Sequence, residues 1–272
     1  MNHLPQWLVG KIEAQRLSGP DIIKMEIDEV MDFLNVSRST AERVVLDACS
    51  RYASKPVLSS HIPGPIKFMG LDMLRYGTIT ELYGPSGSGK TQFCLTLAAS
   101  DLFKTIFWLD TEGTYRSERL LEIGGIKCLD KVKVKPVRDF DNMFWTVSEA
   151  LQNIVNQETQ PTLVVIDSVA ACLRSTEKLM DRQKSVHSLA EALKRLGACV
   201  VVTNHVIAHM STKDAFLPAL GNTWSHAVNT RILLFKEEHT RKRFIRPVKL
   251  VSSPPCDDIE FGITRSGVSL IH

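Results

Sequence analysis

The sequence has little that would place it among membrane proteins or disulfide-rich secreted proteins. Its apolar runs are too short to span a bilayer, and its N-terminus lacks the apolar segment of a secretory signal peptide. The six cysteines among 272 residues are scattered and form no C-x-x-C pair. We therefore expect a protein of a reducing compartment, with no disulfides, no zinc site and no membrane partner.

A strong charge of one sign is also missing. The 33 Lys and Arg residues nearly balance the 30 Asp and Glu residues, which leaves a net charge of +3 at pH 7. Such a balance does not favour nucleic-acid binding over the whole surface, so any such site must be local. The chain has no internal repeat and no low-complexity segment, and its 44% hydrophobic content is ordinary for a folded globular protein.

One short stretch of the chain has a clear chemical meaning. It matches the phosphate-binding pattern G-x-x-x-x-G-K-[ST] in Gly84, Pro85, Ser86, Gly87, Ser88, Gly89, Lys90 and Thr91. A segment that predicts a strand, 78–83, precedes the stretch, and a segment that predicts a helix, 91–99, follows it. Glycines let backbone N–H groups turn toward a phosphate, and the helix N-terminus adds a partial positive charge. The pattern predicts an ATP site in which Lys90 contacts the β- and γ-phosphates and Thr91 holds Mg²⁺.

Two further apolar segments end in carboxylates. Residues 162–167 end in Asp167, the form of a Walker B strand, which predicts that Asp167 orients Mg²⁺ or its waters. Residues 105–110 are followed closely by Glu112. Because the carboxyl ends of strands form the ligand crevice of an open α/β sheet, Glu112 is expected near the γ-phosphate, where it could polarise a water. The structural alternatives are a turn aspartate and a solvated glutamate at a helix start.

Alternating apolar segments predict the fold class of the larger part of the chain. Helical patterns over 141–156 and 183–196 lie between predicted strands at 78–83, 105–110, 132–137, 162–167, 198–203 and 230–235. This alternation predicts an α/β domain with a mainly parallel central sheet. Near the end, strands without intervening helices are expected to extend the sheet in antiparallel fashion, at 244–251, 259–264 and 268–271.

The N-terminal part differs in character. Residues 1–54 predict a bundle of short helices, the last of them opened by a capping-box pattern at residues 39–42. Residues 55–66 contain three prolines and a glycine, which is typical of a linker. We therefore expect a helical domain over 1–54, a linker over 55–66 and an α/β domain over 67–272.

The stretch DTEGTYRSERL at residues 110–120 resembles a signature of the RecA/RadA recombinase family, especially its archaeal and eukaryotic branch, although Ser117 replaces a usual proline. The resemblance implies a RecA-like P-loop ATPase core behind a small helix-hairpin-helix-like domain. It also implies that Glu112 is the catalytic glutamate and that Arg119 stacks on adenine, a contact in which a guanidinium lies over an aromatic base.

Residues 198–205 resemble the family strand that ends in Thr-Asn-Gln, whose glutamine senses the γ-phosphate and relays the ATP state to the DNA loops. This chain has His205 there, which can still donate a hydrogen bond. The alternative is a plain strand-end histidine. Residues 218–231 resemble the eukaryotic recombinase paralogs, most of all their D branch, and imply that His226 is a second phosphate sensor.

The resemblance also implies DNA contacts, because two loops of this family face the filament axis. The first corresponds to 174–186 and the second to 207–220, and their candidate DNA-binding residues are Arg174, Lys178, Arg182, Lys184 and Lys213. Basic side chains suit salt-dependent phosphate contacts, but a solvated helix flank explains the first loop almost as well. The implied partners are single-stranded or branched DNA, the recombinase filament and other recombinase paralogs in a hetero-complex.

The resemblance thus implies a nuclear recombinase paralog that uses ATP and Mg²⁺, hydrolyses ATP in response to DNA and supports the recombinase filament in homologous-recombination repair. One alternative is a self-polymerising strand-exchange recombinase, which the missing Phe-x-x-Ala motif in the linker argues against. Another is a scaffold subunit in which nucleotide only stabilises an interface, which His205 and Ser252 favour because both depart from the family pattern. A RecA-like hexameric helicase and a P-loop kinase have less support.

Overall fold

The structure of the chain, a computed structural model, describes residues 4–52, 64–147, 161–173, 179–208, 216–251 and 257–271. The chain divides into two compact units, Met1–Ile62 and Pro63–His272. Among the described residues, none of the helices combines the length and the apolar character needed to cross a bilayer.

In the part of the first unit that the structure describes, four helices form a bundle: α1 (Gln6–Ala14), α2 (Gly19–Lys24), α3 (Ile27–Leu34) and α4 (Arg38–Tyr52). A capping box between Ser18 and Asp21 begins α2, and Asn35, in the left-handed region at φ 46°, ends α3. The apolar side chains at helical spacing meet in one small core, formed by Leu8, Ile12, Ile22, Val30, Leu34, Ala41, Val44 and Ala48.

The second unit is built on a sheet of nine strands in the order β13-β12-β11-β10-β3-β7-β6-β4-β5. Its strands are β3 (Thr78–Tyr83), β4 (Thr105–Asp110), β5 (Val132–Pro136), β6 (Thr162–Asp167), β7 (Cys199–Asn204), β10 (Thr230–Lys236), β11 (Arg243–Lys249), β12 (Ile259–Thr264) and β13 (Gly267–Leu270). The six strands from β10 to β5 are parallel, and β11 to β13 extend them in antiparallel fashion. The predicted α/β class with a mainly parallel sheet is therefore confirmed.

Two small antiparallel pairs accompany the main sheet. They are β1 (Ile66–Phe68) with β2 (Leu71–Leu74), and β8 (Val206–Ala208) with β9 (Phe216–Pro218). The second pair directly follows β7, because β8 begins two residues after Asn204. Its position therefore depends on how the end of β7 is held.

Helices cover both faces of the sheet, so the central strands β6 and β7 are buried along their whole length. The helices are α5 (Lys90–Ala99), α6 (Ser117–Gly124), α7 (described over 140–147), α8 (Val169–Leu173), α9 (Leu179–Arg195) and α10 (Gly221–Ala227). Phe93 and Leu120, from α5 and α6, belong to the core on one face. Met143, Leu189 and Trp224, from α7, α9 and α10, belong to the core on the other face.

Candidate functional site

The loop between β3 and α5 has a backbone that only glycine can adopt at its first position. Gly84 has a φ of +154°, and a Cβ added there would lie 1.9 Å from the carbonyl oxygen of Leu234 on β10. The loop ends at Gly89, the N-cap residue of α5, which has no side chain to accept hydrogen bonds from the first turn. The N–H groups of that turn therefore suit an anion, as the glycine pattern predicts.

Lys90 opens α5 and folds back over the loop. Its Nζ donates to the carbonyl oxygens of Gly84 and Pro85 at 2.8 and 2.9 Å. The side chain is buried, and burial lowers the pKa of its ammonium group, while the nearby carboxylates of Asp167 and Glu112 oppose that change. A buried cation with two acidic neighbours, beside the N–H groups of the first turn of α5, is an arrangement that suits a bound phosphate.

Asp167 accepts hydrogen bonds from threonine hydroxyl groups of three segments of the chain. Thr91 Oγ1 on α5 donates to Asp167 Oδ2 at 2.7 Å, and Thr203 Oγ1 on β7 donates to Oδ1. Thr114 Oγ1 lies 3.4 Å from Oδ2. Burial raises the pKa of Asp167, and the hydrogen bonds from Thr203 and Thr91 partly oppose it. These oxygens, of the kind that Mg²⁺ prefers, fit the metal that the motif implies.

Glu112 lines the cleft, where Ser168 and His205 contact its carboxylate. Its Oε1 accepts a hydrogen bond from Ser168 Oγ at 2.7 Å and contacts His205 Nε2 at 2.5 Å. Ser168 Oγ and His205 Nε2 are themselves 3.1 Å apart. The ends of β4, β6 and β7 thus bring a carboxylate, a hydroxyl and an imidazole together, as expected for the carboxyl edge of a parallel sheet.

These groups line one cleft. Its volume is about 240 Å³, several times the ~30 Å³ that one water occupies in the liquid, so it has room for a phosphate-sized group. The lining residues come from the P-loop, the ends of β4, β6 and β7, and β12: Ser86, Gly87, Gly89, Lys90, Thr91, Gln92, Glu112, Thr114, Asp167, Ser168, Thr203, His205 and Ile263. The cleft therefore brings the predicted metal and catalytic residues together with five of the eight predicted phosphate-binding residues, while Gly84, Pro85 and Ser88 belong to the same loop but do not line it.

Arg119 does not line this cleft but lies beside it, on α6. Its Nε donates to Oε1 of Gln92, which is a lining residue, at 2.8 Å. Its Nη1 donates to Glu122 and to the carbonyl oxygen of Arg265, and Nη2 donates to the carbonyl oxygen of Thr264. The guanidinium is thus anchored through its edges, an arrangement compatible with stacking of its planar face on a base.

Two further predicted residues, His226 and Lys184, do not line the cleft. His226 is exposed on α10, and Lys184 is exposed on α9. Arg182 lies on α9 as well. Arg174, Lys178 and Lys213 lie outside the described residues, as does Ser252.

Sequence reasoning missed several residues of the site. Thr203 and Thr114 form hydrogen bonds with Asp167. Ser168 forms a hydrogen bond with Glu112, and Gln92 forms one with Arg119. Gln92 and Ser168 could have been found from the sequence, because Gln92 follows Thr91 and Ser168 follows Asp167. Nothing in the spacing links Thr203 to Asp167, because the contact depends on which strands are neighbours.

Behind the cleft, a buried carboxylate ties four elements together. Glu81 on β3 is fully buried and accepts from Asn204 Nδ2, Trp224 Nε1 and Arg231 Nε. Asn204 also accepts from the backbone N–H of His205 at 2.8 Å. The backbone of His205 is therefore fixed through Asn204 to the strand that precedes the P-loop.

Comparison with known proteins places these observations in context. The family model described as Rad51 matches residues 69–270, a range that contains the whole cleft. The chain is 31% identical over 222 residues to DNA repair protein RAD51 homolog 1 of Arabidopsis thaliana, covering 71% of this chain and 63% of that protein. It is 27% identical to RAD51 homolog 2 of the same plant, covering 92% of this chain and 80% of that protein.

A mammalian relative gives a similar result. The chain is 32% identical over 180 residues to DNA repair protein RAD51 homolog 4 of Mus musculus, covering 58% of this chain and 54% of the relative. The matched regions thus span less than two thirds of the length of several of these relatives, including the Arabidopsis homolog 1. Arg119, Glu112 and His205 all fall within the family match.

Proposed function

Because the chain belongs to the Rad51 family, we propose that it is a recombinase paralog that binds ATP and Mg²⁺ and acts with DNA in homologous-recombination repair. The observation that carries the proposal is the convergence of Lys90, Asp167 and Glu112 on one cleft at the carboxyl edge of the sheet. The finer proposal is a DNA-stimulated ATPase that supports the recombinase filament in the nucleus. The D branch of the paralogs is our proposed placement within the family.

The residues of the cleft fit ATP and Mg²⁺. The P-loop N–H groups and Lys90 would hold the phosphates, Thr91 and Asp167 would hold the metal, and Arg119 would face the base. Bound Mg²⁺ would supply positive charge that neutralises the phosphate oxygens. The hydrogen bond between Thr91 and Asp167 supports this assignment, because it places two hard oxygen atoms within reach of one cation.

Glu112 is the residue we propose to orient and polarise the attacking water. Its carboxylate lines the cleft together with Lys90, and Ser168 and His205 restrain it there. His205 is our proposed phosphate sensor, in place of the glutamine of the family. Its carbonyl oxygen accepts from Ala219 N at 2.8 Å, so the sensor also touches the segment that follows β9.

The proposed DNA contacts are basic residues on the first loop and α9. Lys184 is exposed and available to a phosphate, and Arg182 lies two residues earlier on the same helix. We extend the proposal to Arg174, Lys178 and Lys213. The proposed partners are single-stranded or branched DNA, other recombinase paralogs and the recombinase filament. We also propose that His226 is a second phosphate sensor. Because it is exposed in the single chain, it would act across an interface.

Steady-state ATP hydrolysis, measured against single-stranded DNA concentration, tests the proposal. The blank is Lys90→Ala, and the matched control is Lys127→Ala, which removes an exposed lysine outside the cleft. We expect DNA to raise turnover in the wild-type and Lys127→Ala proteins but not in the blank. Turnover equal to the blank at every DNA concentration would contradict a DNA-stimulated ATPase.

A second candidate function is a scaffold subunit that binds nucleotide without turning it over. The observation that favours it is the double contact on Glu112 Oε1, which places two donors on the oxygen of the proposed base. ATP binding that strengthens a partner interface, together with turnover at the level of the blank, would support this candidate. A long homopolymer formed in the presence of ATP would instead support a self-polymerising recombinase.

A further inference from the structure

Ser168 is a buried residue that lines the cleft. It is 1% exposed and follows the last residue of β6. Its Oγ lies 2.7 Å from Glu112 Oε1 and 3.1 Å from His205 Nε2. One serine oxygen thus touches both side chains that are proposed to act on the terminal phosphate.

The donors and acceptors available among Ser168, Glu112 and His205 determine the direction of each hydrogen bond. An ionised carboxylate only accepts, so Ser168 must use its single O–H to donate to Glu112. The serine oxygen can then only accept from His205. The imidazole nitrogen Nε2 also faces Glu112 Oε1, a second acceptor. A neutral His205 ring must therefore carry its proton on Nε2, and Nδ1 is left unprotonated.

The backbone of Ser168 is held as firmly as its side chain. The hydroxyl of Thr111 accepts from Ser168 N at 2.6 Å and donates to Ser168 O at 2.8 Å. Thr111 N also donates to the carbonyl oxygen of Asp167 at 2.9 Å. Because Thr111 directly precedes Glu112, these bonds clamp the end of β6 to the segment that presents the carboxylate. The serine oxygen therefore has a fixed position relative to Glu112.

We propose that Ser168 is a positioning residue for ATP hydrolysis, which holds Glu112 and His205 in a fixed mutual geometry and keeps His205 as an Nε2–H donor. The inference rests on the proposed ATPase function. It assigns to Ser168 a task separate from nucleotide binding, because Ser168 bonds neither Lys90 nor Thr91 in the contacts described above. Loss of its hydroxyl should therefore affect turnover far more than affinity.

The first test compares Ser168→Ala with the wild-type protein. We expect kcat to fall about 10- to 100-fold, the scale of a misplaced catalytic group, while the Kd for a fluorescent ATP analogue stays the same. The matched control is Ser100→Ala, which removes a serine hydroxyl that bonds the carbonyl oxygen of Leu97 at the end of α5, outside the cleft. A kcat for Ser168→Ala equal to that of the control, or a parallel loss of ATP binding, would overturn the proposal.

The second test needs no turnover, and its first part needs only the wild-type protein. Nitrogen chemical shifts of the histidine rings in the isotopically labelled wild-type protein report which nitrogen carries the proton of a neutral ring. We expect His205 to be protonated on Nε2; protonation on Nδ1 would overturn the proposed geometry. In Ser168→Ala the His205 signals should shift, while those of His187, exposed on α9, should not.

The two tests separate the inference from the function on which it rests. If the wild-type protein shows no turnover above Lys90→Ala, the proposed hydrolysis fails. An Nε2–H ring at His205 whose signals move in Ser168→Ala would still support the positioning contact. An Nδ1–H ring, or His205 signals unchanged by the substitution, would refute that contact whatever the turnover.

Discussion

Gly84 occupies a position that no larger residue can take unless the backbone of β10 moves. A Cβ at Gly84 would lie 1.9 Å from the carbonyl oxygen of Leu234, whereas a Cβ at Gly87 would meet nothing within 4 Å. Both residues have positive φ, so substitution of either also costs backbone strain. Gly84 is therefore required both by its φ and by close packing on β10, whereas Gly87 is required by its φ alone.

This difference predicts unequal effects of two similar substitutions. Gly87→Ala should lower the free energy of unfolding by about 1–2 kcal/mol, the cost of a left-handed non-glycine residue. Gly84→Ala should cost more, because a backbone clash adds to the strain. Urea-induced unfolding of the two variants measures the difference. Equal midpoints for the two variants would contradict the close packing of Gly84 on β10.

At Asp167, the carboxylate that the proposed metal site needs is expected to cost stability. Burial raises its pKa above the ordinary carboxyl range. Between the unfolded and the raised folded pKa, the folded chain binds a proton that the unfolded chain releases, so stability falls as pH rises through that window and stays lower above it. We expect Asp167→Asn to raise Tm at pH 7 by about 2–4 °C, the shift produced by ~1 kcal/mol in a chain of this size.

Thermal unfolding without nucleotide or Mg²⁺ measures this effect. The gain from Asp167→Asn should shrink as the pH is lowered below the window, because the wild-type carboxyl group is then neutral as well. Asp130→Asn removes an exposed carboxylate and serves as the control, for which we expect no change. A lower Tm for Asp167→Asn at pH 7 would show that the ionised carboxylate stabilises the fold.

The site could be predicted from sequence only where a motif specifies it. Lys90, Thr91, Asp167 and Glu112 were expected to meet because phosphate chemistry requires those residue types at the ends of strands, and the structure brings them together in one cleft. The bridge through Ser168 could not be predicted, because it requires β6 to lie between β4 and β7.

At the scale of elements, Glu81 joins β3, β7, α10 and β10 behind the P-loop. It is fully buried, and Arg231, its ionic partner, is 9% exposed. Removing one partner of a buried ion pair leaves an uncompensated charge, whereas replacing both can be nearly neutral. The hydrogen bonds from Asn204 and Trp224 to Glu81 need an acceptor, which a glutamine could still provide.

We therefore expect Glu81→Gln to lower the free energy of unfolding by about 3–5 kcal/mol. Addition of Arg231→Met should restore part of that loss, because the uncompensated guanidinium is removed while the acceptor for Trp224 stays. Chemical denaturation of the wild-type protein, both single variants and the double variant forms a complete cycle. Additive losses would contradict a coupled buried pair.

The elements themselves could be predicted to different degrees. Four strands have the bounds that their apolar patterns predict: β3, β4, β6 and β12. Each is a six-residue run whose ends are clear in the sequence. The remaining predicted strands differ by one or two residues at one or both ends. The pairs β1–β2 and β8–β9 were missed, since strands of three or four residues show no periodicity.

The first residue of a helix is also difficult to predict from sequence, as α4 shows. The capping box predicted at residues 39–42 is wrong, because α4 already begins at Arg38 and Thr40 N donates to Ser37 Oγ at 3.4 Å. Several serine and threonine residues in succession offer more than one possible N-cap, and tertiary packing selects among them. The helix predicted over 141–156 is described only as far as residue 147, where it is helical.

At the scale of the whole molecule, each of the two units has its own hydrophobic core. Among the described residues, the core of the first unit ends at Ala48, and both cores of the second unit begin after Pro63. A unit with its own core can fold alone. All residues of the nucleotide cleft lie in the second unit.

A chain shortened to residues 63–272 should therefore fold and bind ATP with the affinity of the full chain. Its near-ultraviolet circular dichroism should show fixed tertiary packing, because Trp108 and Trp224, which are fully buried, both belong to this unit. Equilibrium binding of a fluorescent ATP analogue makes the comparison. Loss of cooperative thermal unfolding on removal of residues 1–62 would show that the second unit depends on the first.

The central claim is that the cleft between the P-loop and the ends of β4, β6 and β7 binds ATP with Mg²⁺. Equilibrium titration of the full chain with a fluorescent ATP analogue, with and without Mg²⁺, tests it most directly. We predict saturable binding that Mg²⁺ strengthens, that Lys90→Ala weakens by about 10-fold or more, the effect of losing a charge-assisted contact, and that Lys127→Ala leaves unchanged. Equal affinity of the wild-type and Lys90→Ala proteins would contradict the claim.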